Sequence, residues 1–436
     1  METSFRKKKV IATVKSLLLA LVAWSWTAPI VEAGPRPGDI FREYHYTAET
    51  IFELDPGSKR TDAKLLKRRS ISHRERNLDI YDLEDAVRAE LALELWGGHV
   101  GTSGQRFRLN GGPWADIPQI QGTPSDPRCY FRTLLGSVSI PLSLSQIKLG
   151  RNVFEFLAGP QLCHGFDWGI YRVYAFTVRI YYNSSKPRPD GRIIQPASGD
   201  VIGDLPVLTV EASGTKGDPN KLEFTKSSVS KVEYLGEFED VNWEGDGIYR
   251  QWHFLLEKGE LTRHIGTSTV VPFRVTWDNQ WVPDQSQPVQ LTARITDTHG
   301  ITYMTPAVEV RLARTARSVK MYKPSDIPEA FGVRAGKTMG CKIEVPEAPG
   351  TARAGRLFLS TWAGEHADAI RLNDIQLAER AGRPDEYSFD WITVDPKTVR
   401  QGTNSFTIYS ASKEHAAEIN WPGPILLLEF PVGVRP

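Results

Sequence analysis

Residues 148–182, KLGRNVFEFLAGPQLCHGFDWGIYRVYAFTVRIYY, decide how the chain is read. A turn at Leu149-Gly150-Arg151-Asn152 opens the stretch, a short apolar run covers 153–157, and a loop follows as far as Trp168. From 170 to 182 the side chains alternate in character, the pattern of a half-buried strand whose successive residues point to opposite faces. The same plan returns near the other end of the chain. There Arg400-Gln401-Gly402-Thr403-Asn404 leads into 405–409, a loop carries Trp421, and 425–430 forms the closing strand. Trp168 follows Asn152 by sixteen residues, and Trp421 follows Asn404 by seventeen.

The match extends backwards. Residues 89–96 (AELALELW) followed by Arg108-Leu109-Asn110 parallel 355–362 (GRLFLSTW) followed by Arg371-Leu372-Asn373. Two copies of one β-domain at opposite ends of the chain account for this most simply. Strand, Trp, polar loop, Arg-Leu-Asn, strand, Asn turn, strand, Trp loop and strand in that order resemble the galactose-binding-like jelly roll, a sugar-binding module of many secreted glycan-processing proteins. The resemblance implies jelly rolls over 78–182 and 330–436.

Length and composition set the frame. A chain of 436 residues has room for about three domains, each with its own core. With 53 Lys and Arg against 52 Asp and Glu, no long-range field favours nucleic acid or an anionic membrane. Gly and Pro, 36 and 29 residues, punctuate short β-branched and aromatic runs, so the fold class is mostly β. Residues 1–33 read as a signal peptide: basic residues at 6–9, an apolar stretch over 16–26, and Val31-Glu32-Ala33 as the cleavage site. No later apolar run approaches the ~20 residues needed to cross a bilayer, so the mature chain is expected to be secreted, extracellular or periplasmic, with no stable membrane insertion.

Residues 34–77 are rich in charge and poor in periodicity and read as a charged linker, with the basic run 64–69 taken as a solvated edge. Residues 183–191, NSSKPRPDG, interrupt any strand and mark a boundary. Between that boundary and 314 the chain carries short strands at sandwich spacing. Its opening, Ile194-Gln195-Pro196-Ala197-Ser198-Gly199, resembles the first strand of bacterial immunoglobulin-like modules, which implies an immunoglobulin-like β-sandwich over 192–314.

Candidate chemistry is sparse. Cys129 and Cys163 fall in expected loops of the first domain; paired, they would contribute roughly 3–4 kcal/mol by the chain-entropy model, and two free thiols are the alternative. Cys341, beside a strand-like run, reads as a buried thiol. Asp240, Asn242, Glu244 and Asp246 place oxygens at every second position before a Gly turn and resemble the first half of a calcium loop. The twelfth position is Gln251 rather than Glu, so an EF-hand is not supported, and a solvated acidic hairpin is the competing reading. No serine-hydrolase, zinc-protease or phosphate-loop phrase occurs, and no catalytic residue is assigned.

Trp is the other candidate. Ten remain after residue 33, and sugars stack their apolar C–H faces on such rings while nearby polar groups take the hydroxyls. Under the jelly-roll topology, Trp114, Asp116, His164, Asp167 and Trp168 would converge at one end of the first copy as a ligand site. The first copy also has the longer loops. Three functions stay open: a non-catalytic protein binding glycan or a cell-envelope component, a polysaccharide hydrolase or lyase with a shallow loop-built site, and a structural or adhesive envelope protein without a ligand site.

Overall fold

The computed structural model describes residues 34–54, 75–96, 101–118, 129–131, 133–157, 171–216, 227–384 and 387–432. The expected signal peptide and the basic run 64–69 lie outside them. Among the described residues the chain is β throughout, with four short 3-10 turns and no α-helix.

The N-terminal sandwich faces one sheet, ordered Ile40–Leu54, Tyr171–Tyr182, Ala86–Trp96 and Thr133–Leu142, against another, ordered Glu75–Ile80, Gly150–Leu157, Arg106–Leu109 and Ala115–Asp116. Alternation builds its core. Phe154 and Phe156 point inward from Gly150–Leu157 and meet the ring of Phe176 at 4.8 and 5.8 Å. Leu91, Leu93, Val178 and Ile180 complete the layer, each such side chain contributing about 1.5–3 kcal/mol by burial.

The C-terminal sandwich repeats this order strand for strand. Arg317–Tyr322, Ile425–Pro431, Ala354–Trp362 and Tyr387–Val394 form one sheet, and Lys337–Val345, Gly402–Ser410, Ala369–Leu372 and Ile375–Ala378 run in that order through the other. The duplication therefore begins one strand earlier in each copy than the expected starts at 78 and 330. Residues 40–54, expected as part of a linker, form a central strand: Ile40 to Thr47 pair with Tyr182 to Ala175, and Ile40 to Arg42 pair with Tyr303 to Ile301 on the other side.

That second pairing joins the N-terminal sandwich to the middle one through a continuous sheet. The middle module packs this sheet against a three-stranded one, Phe273–Thr276, Val207–Ser213 and Asp190–Gln195, around Val210, Val232, Tyr234, Trp277 and Leu291. Where the two modules join, charges of alternating sign cross five strands. Glu90 pairs with Arg179 at 2.7 Å, Arg179 with Glu43 at 2.6 Å, Glu43 with Arg294 at 2.6 Å, and Arg294 with Glu233 at 3.5 Å. Burial opposes ionisation of Glu43, but the two guanidiniums outweigh it and hold the carboxyl far below its usual range.

The charged face is roofed by the hairpin of Leu255–Glu257 and Glu260–Thr262, whose Leu256 and Leu261 pack with Phe41, Ala92 and Tyr181. At the hairpin tip the backbone N–H groups of Lys258 and Gly259 donate to Glu94 at 2.6 and 3.0 Å. Tyr171–Tyr182, expected to be half-buried, is consequently buried on both faces from Ala175 onward.

Candidate functional site

Strand Arg106–Leu109 turns Phe107 and Leu109 into the core and leaves Arg106 and Arg108 outside. Asn110 and Gly111, with φ of 51° and 70°, reverse the chain so that Ala115–Asp116 returns alongside. Arg106 Nε then donates to Asp116 Oδ1 at 2.7 Å. Arg108 grips Glu155 of the neighbouring strand through two bonds, Nε at 2.5 Å and Nη2 at 2.7 Å. Its guanidinium lies 4.7 Å from the ring centre of Trp114, and that indole keeps 36% of its surface exposed. The fork shape of arginine fixes both partners at once. Of the expected ligand set, Trp114 and Asp116 thus sit side by side, each held by an arginine of the same strand. His164, Asp167 and Trp168 lie outside the described residues, as does Cys163. Cys129 is disulfide-bonded, and Cys341 is a buried free thiol pushed up to about 12 by that burial.

The acidic stretch uses its oxygens on itself. Asp246 Oδ1 accepts from Asn242 Nδ2 at 2.7 Å, from the Ile248 N–H at 2.9 Å and from Gln251 Nε2 at 3.1 Å. Asn242 Oδ1 accepts from the Gly247 N–H, Asp240 from the Val241 N–H, and Glu244 faces His253 at 3.0 Å. Among the described residues no group of three or more His, Cys, Asp or Glu side chains is placed to hold a metal ion. In this arrangement the side chains of the expected calcium loop engage the turn's own hydrogen bonds. Both His253 ring nitrogens face acceptors, Glu244 Oε1 and the Phe238 carbonyl, an arrangement satisfied by a ring carrying both protons. Burial alone would lower that imidazole, but Glu244 and Asp240 outweigh it and raise it to about 9.

This closed loop docks the C-terminal sandwich. Trp243 sets its ring 4.7 Å from Phe358 and 5.8 Å from both Phe389 and Trp391. Gly247 meets the six-membered ring of Trp421 so closely that a Cβ there would lie 2.1 Å from the indole. The same outer face continues along Trp362, which is paired across strands with both Tyr387 and Glu418. Arg172 of the N-terminal sandwich reaches over Trp362 at 5.5 Å, and the Trp421 N–H donates to the Phe131 carbonyl at 2.7 Å. Glu418 is therefore enclosed between the two terminal sandwiches, 5% exposed, and among the described residues its Oε2 has no hydrogen-bond partner. Burial, only partly offset by Arg172, lifts its carboxyl to about 8. Sequence reasoning passed over this residue. The one local signal was Tyr387-x-Phe389-x-Trp391, aromatic at every second position of a strand and so collected on one face.

No protein-family model matches the chain, and no curated protein matches it. Solved structures that overlap it include a β-porphyranase of glycoside hydrolase family 86 from the human gut bacterium Bacteroides plebeius, at 12% identity and a TM-score of 0.23 over 57% of this chain and 38% of that one. Fibronectin(III)-like modules of Clostridium thermocellum CbhA overlap at 10% identity and a TM-score of 0.18, over 50% of this chain and 91% of theirs. A β-glucuronidase from Ruminococcus gnavus does so at 11% and 0.23, over 67% and 48%. The chain thus spans well under half of the porphyranase's length, and overlap this slight carries no weight for activity.

Proposed function

We propose that the protein is a secreted, non-catalytic carbohydrate-binding protein whose ligand platform is the Trp114 face of the N-terminal sandwich. The observation that carries this reading is the indole of Trp114, open to solvent and backed by an arginine that is itself locked to Glu155. A ring held in place before the ligand arrives loses little freedom on binding. The apolar face of a pyranose stacks on it, while Arg106 and Asp116 lie within the reach of ring hydroxyls. The signal peptide, released after Ala33, delivers the chain to glycans of the extracellular or periplasmic space.

The test is a glycan array probed with residues 34–436 and with the Trp114→Ala variant of the same chain. Binding by the parent and its loss in the variant, with an unchanged melting temperature, is the expected outcome. Equal binding by both removes the platform from the account. A polysaccharide hydrolase is the second reading, and Glu418 favours it, since a carboxyl that keeps its proton at neutral pH can serve as a general acid. Such a site also needs a second carboxylate across the substrate. Release of reducing ends from an array-positive polysaccharide, abolished by Glu418→Gln, would favour the hydrolase.

A further inference from the structure

Arg263 lies in the link between Glu260–Thr262 and the strand Gly266–Ser268. The link is fastened just beyond it: the Ile265 N–H donates to the Tyr234 carbonyl at 3.1 Å, and His264 Nε2 meets Thr267 Oγ1 at 2.7 Å. The guanidinium has a defined place, 4.9 Å from the ring centre of Trp243 and 5.4 Å from that of Phe389. Contact with ring faces holds the cation but takes up none of its five N–H donors. Arg263 is exposed, and among the described residues it forms no hydrogen bond or ion pair. Trp391 stands beside this group. It projects from the same strand face as Phe389, meets Trp243 at 5.8 Å, and keeps 36% of its surface open. An open indole therefore flanks a cation with unused donors, at the rim of the contact between the middle and C-terminal sandwiches. The Trp114 face combines the same two residue types with a different charge, because Arg108 is balanced by Glu155. Arg263 has no such counter-charge.

We propose that Arg263, Trp391 and Trp243 form a second carbohydrate site, open on the surface at this rim, whose occupant is an acidic sugar: a pyranose bearing a carboxylate or a sulfate ester. The proposal rests on the carbohydrate-binding reading but on different residues. The anionic group accepts two N–H bonds from the guanidinium, whose planar fork matches paired oxygens. The C–H face of the ring lies on Trp391. Trp243 and Phe389, both half-buried, hold the guanidinium in position before the ligand arrives, so little freedom is lost on binding. The site is a platform at the surface, across which a glycan chain can pass. The two faces then divide the ligands by charge, neutral sugars at Trp114 and acidic ones at Arg263.

The experiment measures binding of residues 34–436 to tetragalacturonate, tetramannuronate, a hyaluronan hexasaccharide and a sulfated neocarratetraose, beside the array-selected neutral glycan. The parent should bind an acidic probe, and Arg263→Gln should weaken that binding by about tenfold or more while the neutral glycan binds as before. Arg263→Lys, which keeps the charge without the fork, should recover only part. Affinity for the acidic probe should fall between about 0.05 and about 0.5 M NaCl, and that salt dependence should be lost in Arg263→Gln but kept in Trp391→Ala, which removes stacking and not charge. Response of the uronic-acid probes alone assigns a carboxylate to the site, and response of the sulfated probe alone a sulfate ester. Trp114→Ala should retain the acidic probe. Loss of Trp114-dependent neutral binding with Arg263-dependent acidic binding intact keeps this site and removes the first. Acidic binding that is unchanged in Arg263→Gln, or that disappears in Trp114→Ala, overturns the second site. A parent that binds none of the acidic probes also overturns it, leaving the Trp114 platform in place.

Discussion

Asn110 donates its Nδ2 to Oδ1 of Asn152 at 2.9 Å, and Asn373 donates to Asn404 in the same way at 2.6 Å. The clasps agree in detail. Asn152 and Asn404 each donate to carbonyls four and two residues back, Lys148 and Gly150 in one copy and Arg400 and Gly402 in the other. Asn110 and Asn373 each accept from the backbone N–H that follows the second Asn, at Val153 and Ser405. Both of these Asn residues hold left-handed backbones, φ 51° and 49°, which Asn tolerates better than most side chains.

Each clasp satisfies several backbone groups through one fully buried amide, so its removal orphans them. Asn152→Ala and Asn404→Ala should each lower unfolding free energy by roughly 2–4 kcal/mol in urea denaturation. Losses below about 0.5 kcal/mol would reduce the clasp to a by-product of the turn.

These asparagines were legible in the sequence as the ends of matched segments, and the mostly β class followed from turn residues and alternation. The first strand of each repeat was not. Residues 40–54 read as linker because Glu43 looks solvated beside its chain neighbours, whereas its partners Arg179 and Arg294 lie 136 and 251 residues away. The Glu418 face escaped for the same reason: Arg172 comes from the opposite copy. The acidic loop was legible from its spacing, which reveals where oxygens fall and not which hydrogen bonds occupy them.

The Glu43 ladder gives a direct test of how the N-terminal and middle sandwiches are joined. Glu43→Ala leaves two guanidiniums enclosed without their shared carboxylate, and removal of one partner from such an arrangement costs about 3–5 kcal/mol. Differential scanning calorimetry should show a markedly lower main transition. Glu43→Gln, which restores hydrogen bonds without charge, should recover only part of it.

Gly247→Ala probes docking of the acidic loop on the C-terminal sandwich. The added methyl would collide with Trp421, and the backbone there has φ 80°, so strain and clash act together. The variant should become more susceptible to limited trypsinolysis between the modules while its far-ultraviolet circular dichroism is retained. Unaltered cleavage would show that the contact bears no load.

Stability should fall as pH rises from 5 to 9. Burial raises Glu94 to about 7 and Glu418 to about 8, from an ordinary 4.5, despite the hydrogen bonds from Lys258 and Gly259 in the first case and Arg172 in the second. For groups raised on folding, the stabilising contribution is complete below the unfolded value and is lost as pH climbs through the folded one. At about 1.4 kcal/mol per unit, the two together amount to several kcal/mol. Glu43 has the opposite sign and loses its contribution only in strong acid. Melting temperatures that fall between pH 5 and 9, with a flatter profile in Glu94→Gln, are expected. A flat profile in the parent contradicts the assignment.

The central claim is tested most directly by the affinity of residues 34–436 for an array-selected glycan, measured at pH 6 with the parent and with Trp114→Ala. The account predicts that binding is lost in the variant while the melting temperature stays within about 1 °C, as expected for a partly exposed side chain. Retention of the parent affinity in Trp114→Ala would contradict it.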